Sequence, residues 1–199
     1  MRILVVGASG LLGSAVVAEL SARHEVISAS RGSDVAVDIK DVASIRAMYE
    51  KLGKLDAVVC TAGKAHFGPL AEITEEKMWI GLKDKLMGQV NLVLEGTQYL
   101  NDGGSFTLVS GILGAEPIKA GANASLVNGA IDSFVKSASI ELPRGIRINS
   151  VSATVFTEAL GHYGPYFRGF KPVPVADAAL AFSRSVEGAG TGQVYKIGY

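Results

Sequence analysis

The chain has 199 residues, 48% of them hydrophobic, and its 19 basic and 19 acidic side chains give a formal net charge of zero. This composition excludes a disordered chain, and the charge balance argues against nucleic acid or an anionic membrane as a partner. The single cysteine, Cys60, excludes an internal disulfide and a thiolate metal cluster, and no apolar run is long enough for a signal peptide or a membrane span. We therefore expect one cytoplasmic domain over residues 1–199, with no metal, nucleic-acid or membrane partner.

Short apolar runs alternate with longer amphipathic patterns along the whole chain. Several of the runs are continuous in Val, Ile and Leu, which is typical of strands buried on both faces of a parallel sheet. The pattern predicts an α/β doubly wound fold of three layers, with a seven-stranded, mostly parallel sheet. The predicted strands are Ile3–Val6, Glu25–Ala29, Val35–Val37, Ala57–Thr61, Ser105–Val109, Arg147–Val151 and Gln193–Ile197.

Apolar stripes at helical spacing predict the segments between these strands as helices. The stripes are Leu12, Val16 and Leu20; Val42, Ile45 and Met48 after Asp41 as N-cap; Val127, Ile131, Phe134, Ala138 and Leu142 before Pro143; and Ala179, Phe182 and Val186 in a helix from about Pro174.

The longest predicted helix begins at Thr74, whose hydroxyl is a good N-cap, and runs toward Leu100. Gly81 and Gly88 lie inside it, so we expect a kink or a close packing contact there.

The turn after the first predicted strand reads Gly7-Ala8-Ser9-Gly10-Leu11-Leu12-Gly13. In a dinucleotide-binding turn the first glycine makes the tight turn, the second admits the pyrophosphate and the third packs helix on sheet. The helix N-terminus then offers free N–H groups to phosphate. We therefore predict that Gly7, Ser9, Gly10, Leu11, Leu12 and Gly13 bind a nicotinamide dinucleotide, although glycines also end strands for steric reasons.

The end of the second strand distinguishes NADP from NAD. An acid at this place binds the ribose 2′-hydroxyl of NAD, whereas arginine accommodates the 2′-phosphate of NADP. Here the strand ends in Ser30-Arg31, and no acid follows before Asp34. This favours NADP, with Ser30 and Arg31 at the phosphate and Asp38 at the adenine amino group, unless Arg31 is a solvated loop charge.

These segments, together with several later in the chain, resemble the short-chain dehydrogenase/reductase family over nearly the whole length. The resemblance is carried by Gly7–Gly13, Val37-Asp38-Ile39, Cys60-Thr61-Ala62-Gly63, Ser105–Gly111, Ile140–Val151, Val151–Thr157 and Thr191–Ile197. It implies a Rossmann-type fold and an oxidoreductase that uses NADP or NAD. It also adds Ile39, Thr61, Ala62, Gly63 and Thr157 to the expected cofactor contacts.

The resemblance breaks at the catalytic residues. The family uses a tyrosine as general acid/base and a lysine four residues later, yet these positions hold Ala124 and Asn128, and no Tyr-x-x-x-Lys occurs in the chain. The family's serine becomes Gly111, which leaves Ser110 one position early. A one-residue slip in this correspondence would instead bring Ser110 or Ser125 to a family position.

The resemblance places the family's asparagine of the long helix at Lys85 and the family's lysine at Asn128. The lysine and the asparagine have therefore exchanged positions. The resemblance therefore points to Lys85, Ser110 and Asn128 as catalytic residues, with Lys85 as an acid, a water-orienting group or an anion binder. The alternative is a helix-surface lysine and a structural asparagine. Further candidate proton donors are His66, His162, Tyr163 and Tyr166.

The sequence thus predicts an NADP-dependent oxidoreductase of a small carbonyl or alcohol substrate, with a non-standard catalytic site. The alternatives are an NADP(H)-binding redox sensor or regulatory protein without turnover, and a structural subunit that has lost the cofactor. The resemblance also implies a homodimer or homotetramer, because family members commonly associate through their two long helices.

Overall fold

The computed structural model describes residues 1–199 and contains one seven-stranded sheet of order β3-β2-β1-β4-β5-β6-β7. Every pair of neighbouring strands is parallel, so the predicted mostly parallel sheet is parallel throughout. The strands are β1 Arg2–Val6, β2 Glu25–Ser30, β3 Val35–Ala36, β4 Leu55–Cys60, β5 Leu100–Val109, β6 Arg147–Ala153 and β7 Val194–Ile197.

Helices cover both faces of the sheet, which confirms the predicted three layers. They are α1 Leu11–Ser21, α2 Val42–Leu52, α3 Glu75–Gly81, α4 Gly88–Gly96, α5 Ala122–Ala138, α6 Leu160–Tyr163 and α7 Val175–Glu187. The apolar faces of α1 and α7 pack on one side of the sheet, and those of α2, α4 and α5 on the other. No helix is both long enough and apolar enough to cross a bilayer.

The continuous apolar run of β1 is explained by its position between these layers. Ile3 and Val5 belong to the cluster under α1 and α7, whereas Leu4 and Val6 belong to the cluster on the opposite face. Side chains of a strand alternate between faces, so a strand covered on both sides has no solvent-facing position for a polar residue. Cys60 in β4 is also fully buried, as predicted, and burial raises the pKa of its thiol to about 12.

The segment from Thr74 to Leu100 is not the single helix that the sequence predicted. Thr74 caps α3 as expected, but a π-helical turn, Leu82–Met87, separates α3 from α4, and Leu100 already belongs to β5. The two glycines flank this turn because each meets another element: a Cβ on Gly81 would overlap the Asn123 amide, and one on Gly88 would lie 2.8 Å from Cδ1 of Ile39.

Parallel strands bring all their carboxyl ends to the same edge of the sheet. The direction of winding reverses between β1 and β4, since β2 and β3 lie on one side of β1 and β5 to β7 lie on the other side of β4. Ligands of doubly wound folds bind outside the carboxyl ends at such a switch point. The loops that follow β1, β4, β5 and β6 meet there and form the candidate site.

Candidate active site

The turn after β1 has the backbone geometry that its glycines predict. Gly7 has φ +88°, a left-handed conformation that favours glycine, and its N–H donates to the Ala29 carbonyl oxygen at 2.9 Å. A Cβ on Gly13 would overlap the carbonyl oxygen of Gly7, so only glycine lets α1 pack this closely on the turn.

The N-terminus of α1 carries unsatisfied donors. The N–H groups of Leu11, Leu12 and Gly13 donate to no carbonyl oxygen, and the N-cap residue, Gly10, has no side chain that could accept them. The first turn of α1 also contains no acidic residue to occupy the positive end of the helix dipole. Free N–H groups and an uncompensated dipole fit a phosphate, so these residues suit the pyrophosphate of a dinucleotide.

A first cavity of about 450 Å³ opens beside this turn. Most of the predicted cofactor contacts line it, namely Gly7, Ser9, Gly10, Ser30, Arg31, Asp38, Ile39, Thr61, Ala62 and Gly63. Sequence reasoning did not assign the six further lining residues to the cofactor, namely Val6 at the end of β1 and Gly32, Val37, Lys40, Lys64 and Asp84, which lie in loops or on the π-turn.

Two side chains of this cavity bear on the choice of cofactor. Arg31 is exposed at the end of β2 and makes no hydrogen bond or ion pair with the protein, which leaves its guanidinium available for an anion. The carboxylate of Asp38 accepts the backbone N–H of Lys40 at 3.0 Å and lies 3.6 Å from the Lys40 ammonium. An anion is thus attracted to Arg31, while Asp38 keeps lone pairs for a neutral donor.

Two more cavities continue the cleft toward β6. A second cavity of about 460 Å³ is lined mostly by apolar side chains, and a third of about 300 Å³ lies against Leu11 and Leu12 at the start of α1. Gly63 lines all three cavities, and both Lys85 and Tyr163 line the second and the third. The cleft is therefore continuous from the glycine turn to the segment that follows β6.

Lys85 projects into this cleft from the π-turn. Its ammonium donates to the Ser110 carbonyl oxygen at 3.0 Å, which ties the turn to the end of β5. A Cβ on Gly63 would lie 2.7 Å from Cγ of Lys85, so the absence of a side chain at Gly63 lets the lysine pass. Burial lowers the pKa of Lys85 from 10.5 to about 8, although the nearby Cys60 and Asp132 oppose the shift. A lysine with this pKa can both donate and accept a proton near neutral pH.

Gln89 fixes the position of Lys85, and nothing in the sequence singled it out. It is fully buried at the start of α4, where its amide donates to the Val109 carbonyl oxygen at 2.9 Å and accepts the Val109 N–H at 2.8 Å. The same amide nitrogen donates to the Lys85 carbonyl oxygen at 3.2 Å. Gln89 thereby joins the π-turn that carries Lys85 to the end of β5, which directly precedes Ser110.

Asn128 and Ser110 lie with Lys85 at the same end of the cleft. Asn128 is 4% exposed and lines the second cavity, and its Oδ1 has no hydrogen-bond partner. The hydroxyl of Ser110, which lines the third cavity, is also buried without a partner. Buried polar atoms are rarely left unpaired, so these two atoms suit a bound ligand. The structure thus brings together all three predicted catalytic residues.

The remaining predicted residues are distributed differently. Of the other candidate proton donors, Tyr163 lines the cleft, whereas His66, His162 and Tyr166 line none of its three cavities. Thr157 also lies outside their linings, and its N–H donates to the Val173 carbonyl oxygen at 2.8 Å. Ala124 is buried and lines the second cavity, to which its methyl side chain offers no polar atom.

A family model described as enoyl-(acyl carrier protein) reductase matches residues 4–194. Among curated proteins, the uncharacterized oxidoreductase YmfI of Bacillus subtilis is 25% identical over 233 residues, which cover 98% of this chain and 96% of YmfI. The short chain dehydrogenase/reductase AacuN of Aspergillus aculeatus is 34% identical over 141 residues, covering 64% of this chain and 53% of AacuN.

Two solved structures are also similar to this chain. The protein lin1944 from Listeria innocua is 53% identical, with a TM-score of 0.97 and 98% of both chains covered. A small-chain dehydrogenase in complex with NADPH is 26% identical, with a TM-score of 0.88 over 98% of this chain and 94% of that one. The chain belongs to the short-chain dehydrogenase/reductase family of oxidoreductases.

Proposed function

We propose that this family member is an NADP(H)-dependent oxidoreductase of a small carbonyl or alcohol substrate, with Lys85 in place of the family's tyrosine as the acid/base. The observation that carries the proposal is the position of Lys85. It lines both cavities beyond the glycine turn, is held by the Ser110 carbonyl oxygen at 3.0 Å and has a pKa lowered to about 8. A general acid/base works best when its pKa is near the working pH.

The residues around the first cavity fit NADP(H). The three unpaired N–H groups of α1 suit the pyrophosphate, and the unpaired guanidinium of Arg31 suits the 2′-phosphate that NADP has and NAD lacks. Asp38 suits the adenine amino group as an acceptor. The NADPH complex of the 26% identical dehydrogenase supports this choice of cofactor. When bound, NADPH supplies a hydride to a carbonyl carbon.

The chain's own residues then handle the substrate oxygen. The Lys85 ammonium donates a proton to that oxygen as the carbonyl is reduced, and the neutral amine takes a proton back from the hydroxyl in the reverse direction. The amide Nδ2 of Asn128 can donate a hydrogen bond to the same oxygen. Gln89 and Gly63 keep the lysine in place, and the apolar walls of the second cavity exclude water, which strengthens these interactions.

A redox sensor without turnover is the second candidate, and one observation favours it. Ala124 occupies the position where the family resemblance places the catalytic tyrosine, and an alanine carries no proton. A protein that only senses the cofactor needs the first cavity and not the second.

The test is titration of the protein with NADPH and NADH, followed by a panel of carbonyl compounds monitored at the nicotinamide absorbance. We expect tighter binding of NADPH than of NADH, and oxidation of NADPH by at least one carbonyl compound. NADPH binding without turnover across the panel would favour the sensor, and no binding of either nucleotide would refute both functions.

A further inference from the structure

We infer that the substrate of this site is a carbonyl compound with an aromatic ring, uncharged or anionic, whose ring enters the second cavity and whose oxygen faces Lys85. This inference rests on the proposed function, because it names the substrate class of the same site. It depends on four features of the second cavity: its aromatic wall, its vacant floor, its polar end and its charge.

The aromatic wall is built from two separate segments of the chain. Phe67 comes from the loop after β4, and Tyr163 and Phe167 come from the segment after β6. The rings of Phe67 and Tyr163 lie 6.0 Å apart at 50°, which is a favourable tilted geometry. These residues line one side of a cavity of about 460 Å³, which is within the usual size range of small-molecule sites.

The floor has room because a large side chain is missing. Ala124 and its neighbours Ile112 and Leu113 form a small buried apolar cluster under the cavity. At the position of Ala124 the family resemblance places a tyrosine, whose phenol ring would project from α5. Its replacement by a methyl group leaves apolar space, and apolar space of this kind takes up aromatic rings.

The opposite end of the cavity is polar. Asn128 Oδ1 and Thr154 Oγ1 are buried, have no hydrogen-bond partner and belong to residues that line the cavity, as does the ammonium-bearing Lys85. The Lys85 ammonium and the Thr154 hydroxyl can donate to a carbonyl oxygen at this end, and the aromatic wall can contact a ring at the other, so a compound that satisfies both ends places its carbonyl at Lys85.

The charge of the cavity excludes cations. Its lining contains two lysines, Lys64 and Lys85, and no aspartate or glutamate. A positively charged substrate would meet two like charges and find no counter-ion, whereas a neutral or anionic one would not.

The experiment compares four ketones as ligands of the full chain, with and without NADPH, by saturation-transfer NMR. They are acetophenone, its saturated analogue cyclohexyl methyl ketone, butan-2-one, and acetophenone with an aminomethyl group on the ring. We expect acetophenone to bind roughly two- to tenfold more tightly than the cyclohexyl compound, because ring pairs add to area burial. It should bind about ten- to a hundredfold more tightly than butan-2-one, and the amine should bind most weakly of the aromatic compounds.

Substitutions in the second cavity test which residues cause the preference for an aromatic ring. Phe67→Leu and Phe167→Leu should each reduce the preference for the aromatic over the cyclohexyl ring, and Ala124→Tyr should abolish acetophenone binding by filling the floor. Phe134→Leu is the matched control, because Phe134 packs against the sheet core, ten residues beyond Ala124 on α5, and lines none of the three cavities, so it should leave the preference unchanged.

Equal binding of the aromatic and cyclohexyl ketones, or a preference that survives both phenylalanine variants, would overturn the inference. So would turnover of NADPH with aliphatic ketones alone, which would leave the proposed function standing. If NADPH fails to bind while the aromatic preference persists in the protein alone, the proposed oxidoreductase function fails and the ligand class of the cavity is supported.

Discussion

The two ends of the cleft differ in the groups that face a ligand, which are mainly backbone groups at one end and side chains at the other. At the glycine turn the working parts are backbone groups, such as the free N–H groups of α1 and the left-handed Gly7. At the far end they are side chains, with Lys85 and Asn128 in exchanged positions and Ala124 where the family resemblance places a tyrosine. Backbone geometry tolerates only glycine at its tight points, whereas a proton donor can be supplied from another helix. If Lys85 is the proton donor as proposed, we expect that cofactor binding and proton transfer can be changed independently in this protein.

The largest effect is expected from Lys85→Met, which should impair catalysis at the far end of the cleft and leave cofactor binding at the glycine turn unchanged. We expect kcat for carbonyl reduction to fall about 10²- to 10⁴-fold, the usual contribution of a general acid, with little change in the dissociation constant for NADPH. Stopped-flow and steady-state rates, with NADPH titration alongside, measure both. Lys83→Met is the control, because Lys83 is exposed on the same π-turn and lies over the Trp79 ring, 5.5 Å from its centroid. Unchanged turnover in Lys85→Met would remove the lysine from the mechanism and leave Tyr163, the other proton donor that lines the cleft, to be tested as Tyr163→Phe.

Arg31→Met should affect the opposite end. Loss of a charge-assisted contact with the 2′-phosphate is expected to weaken NADPH binding about ten- to a hundredfold. NADH lacks that phosphate and serves as the internal control, with an unchanged dissociation constant in calorimetric titration. If both nucleotides weaken equally, Arg31 does not select between them.

The pH profile sharpens the comparison further, because Lys85 at the far end of the cleft has a pKa lowered to about 8. Burial lowers the pKa of Lys85 to about 8, so the ammonium is lost as pH rises through that value. Carbonyl reduction should be level below this pH and decline about tenfold per pH unit above it, and alcohol oxidation should show the opposite trend. Initial rates at saturating NADPH measure the profile. If the rate of Lys85→Met still declines above the same pH, a group other than Lys85 is responsible for the titration.

The smallest expected effect concerns stability. The lowered pKa means that the folded protein binds fewer protons than the unfolded chain between about pH 8 and 10.5, so the buried ammonium costs stability below pH 8. Lys85→Met should therefore raise the free energy of unfolding at pH 7 by about 1–3 kcal/mol. Urea denaturation of both proteins at pH 7 and pH 10 tests the sign of this change. The stability that Lys85→Met gains over the parent should be smaller at pH 10 than at pH 7. A variant less stable than the parent at pH 7 would show that the packing and hydrogen bond of Lys85 outweigh its desolvation.

The sequence predicted the sheet and the backbone geometry of the glycine turn well, because both depend on patterns that are local in the chain. The run Ile3–Val6 is apolar at every position because both faces of β1 are covered, and the glycine spacing follows from turn geometry. The buried state of Cys60 was predicted from its apolar neighbours in the same way.

The far end was predicted less completely, because its geometry depends on contacts between distant segments. Gly81 and Gly88 indicated a perturbed helix, but the π-turn itself depends on Asn123 and Ile39, which approach from elsewhere in the chain. Gln89 gave no signal, since glutamine on a helix is usually exposed. The wall formed by Phe67 and Phe167 could not be predicted either, because loops carry no periodic pattern.

The strand order also has a consequence for synthesis of the protein. The strands β1 to β4 form a contiguous block of the sheet, and the residues of the chain up to Gly63 supply nearly all the lining of the first cavity. A growing chain therefore contains the residues of this half before those of β5, which begins at Leu100. Until β5 arrives, the buried strand Leu55–Cys60 is an open apolar edge, and such edges pair with other chains. A nascent chain that lacks β5 is therefore expected to associate with other chains along this edge.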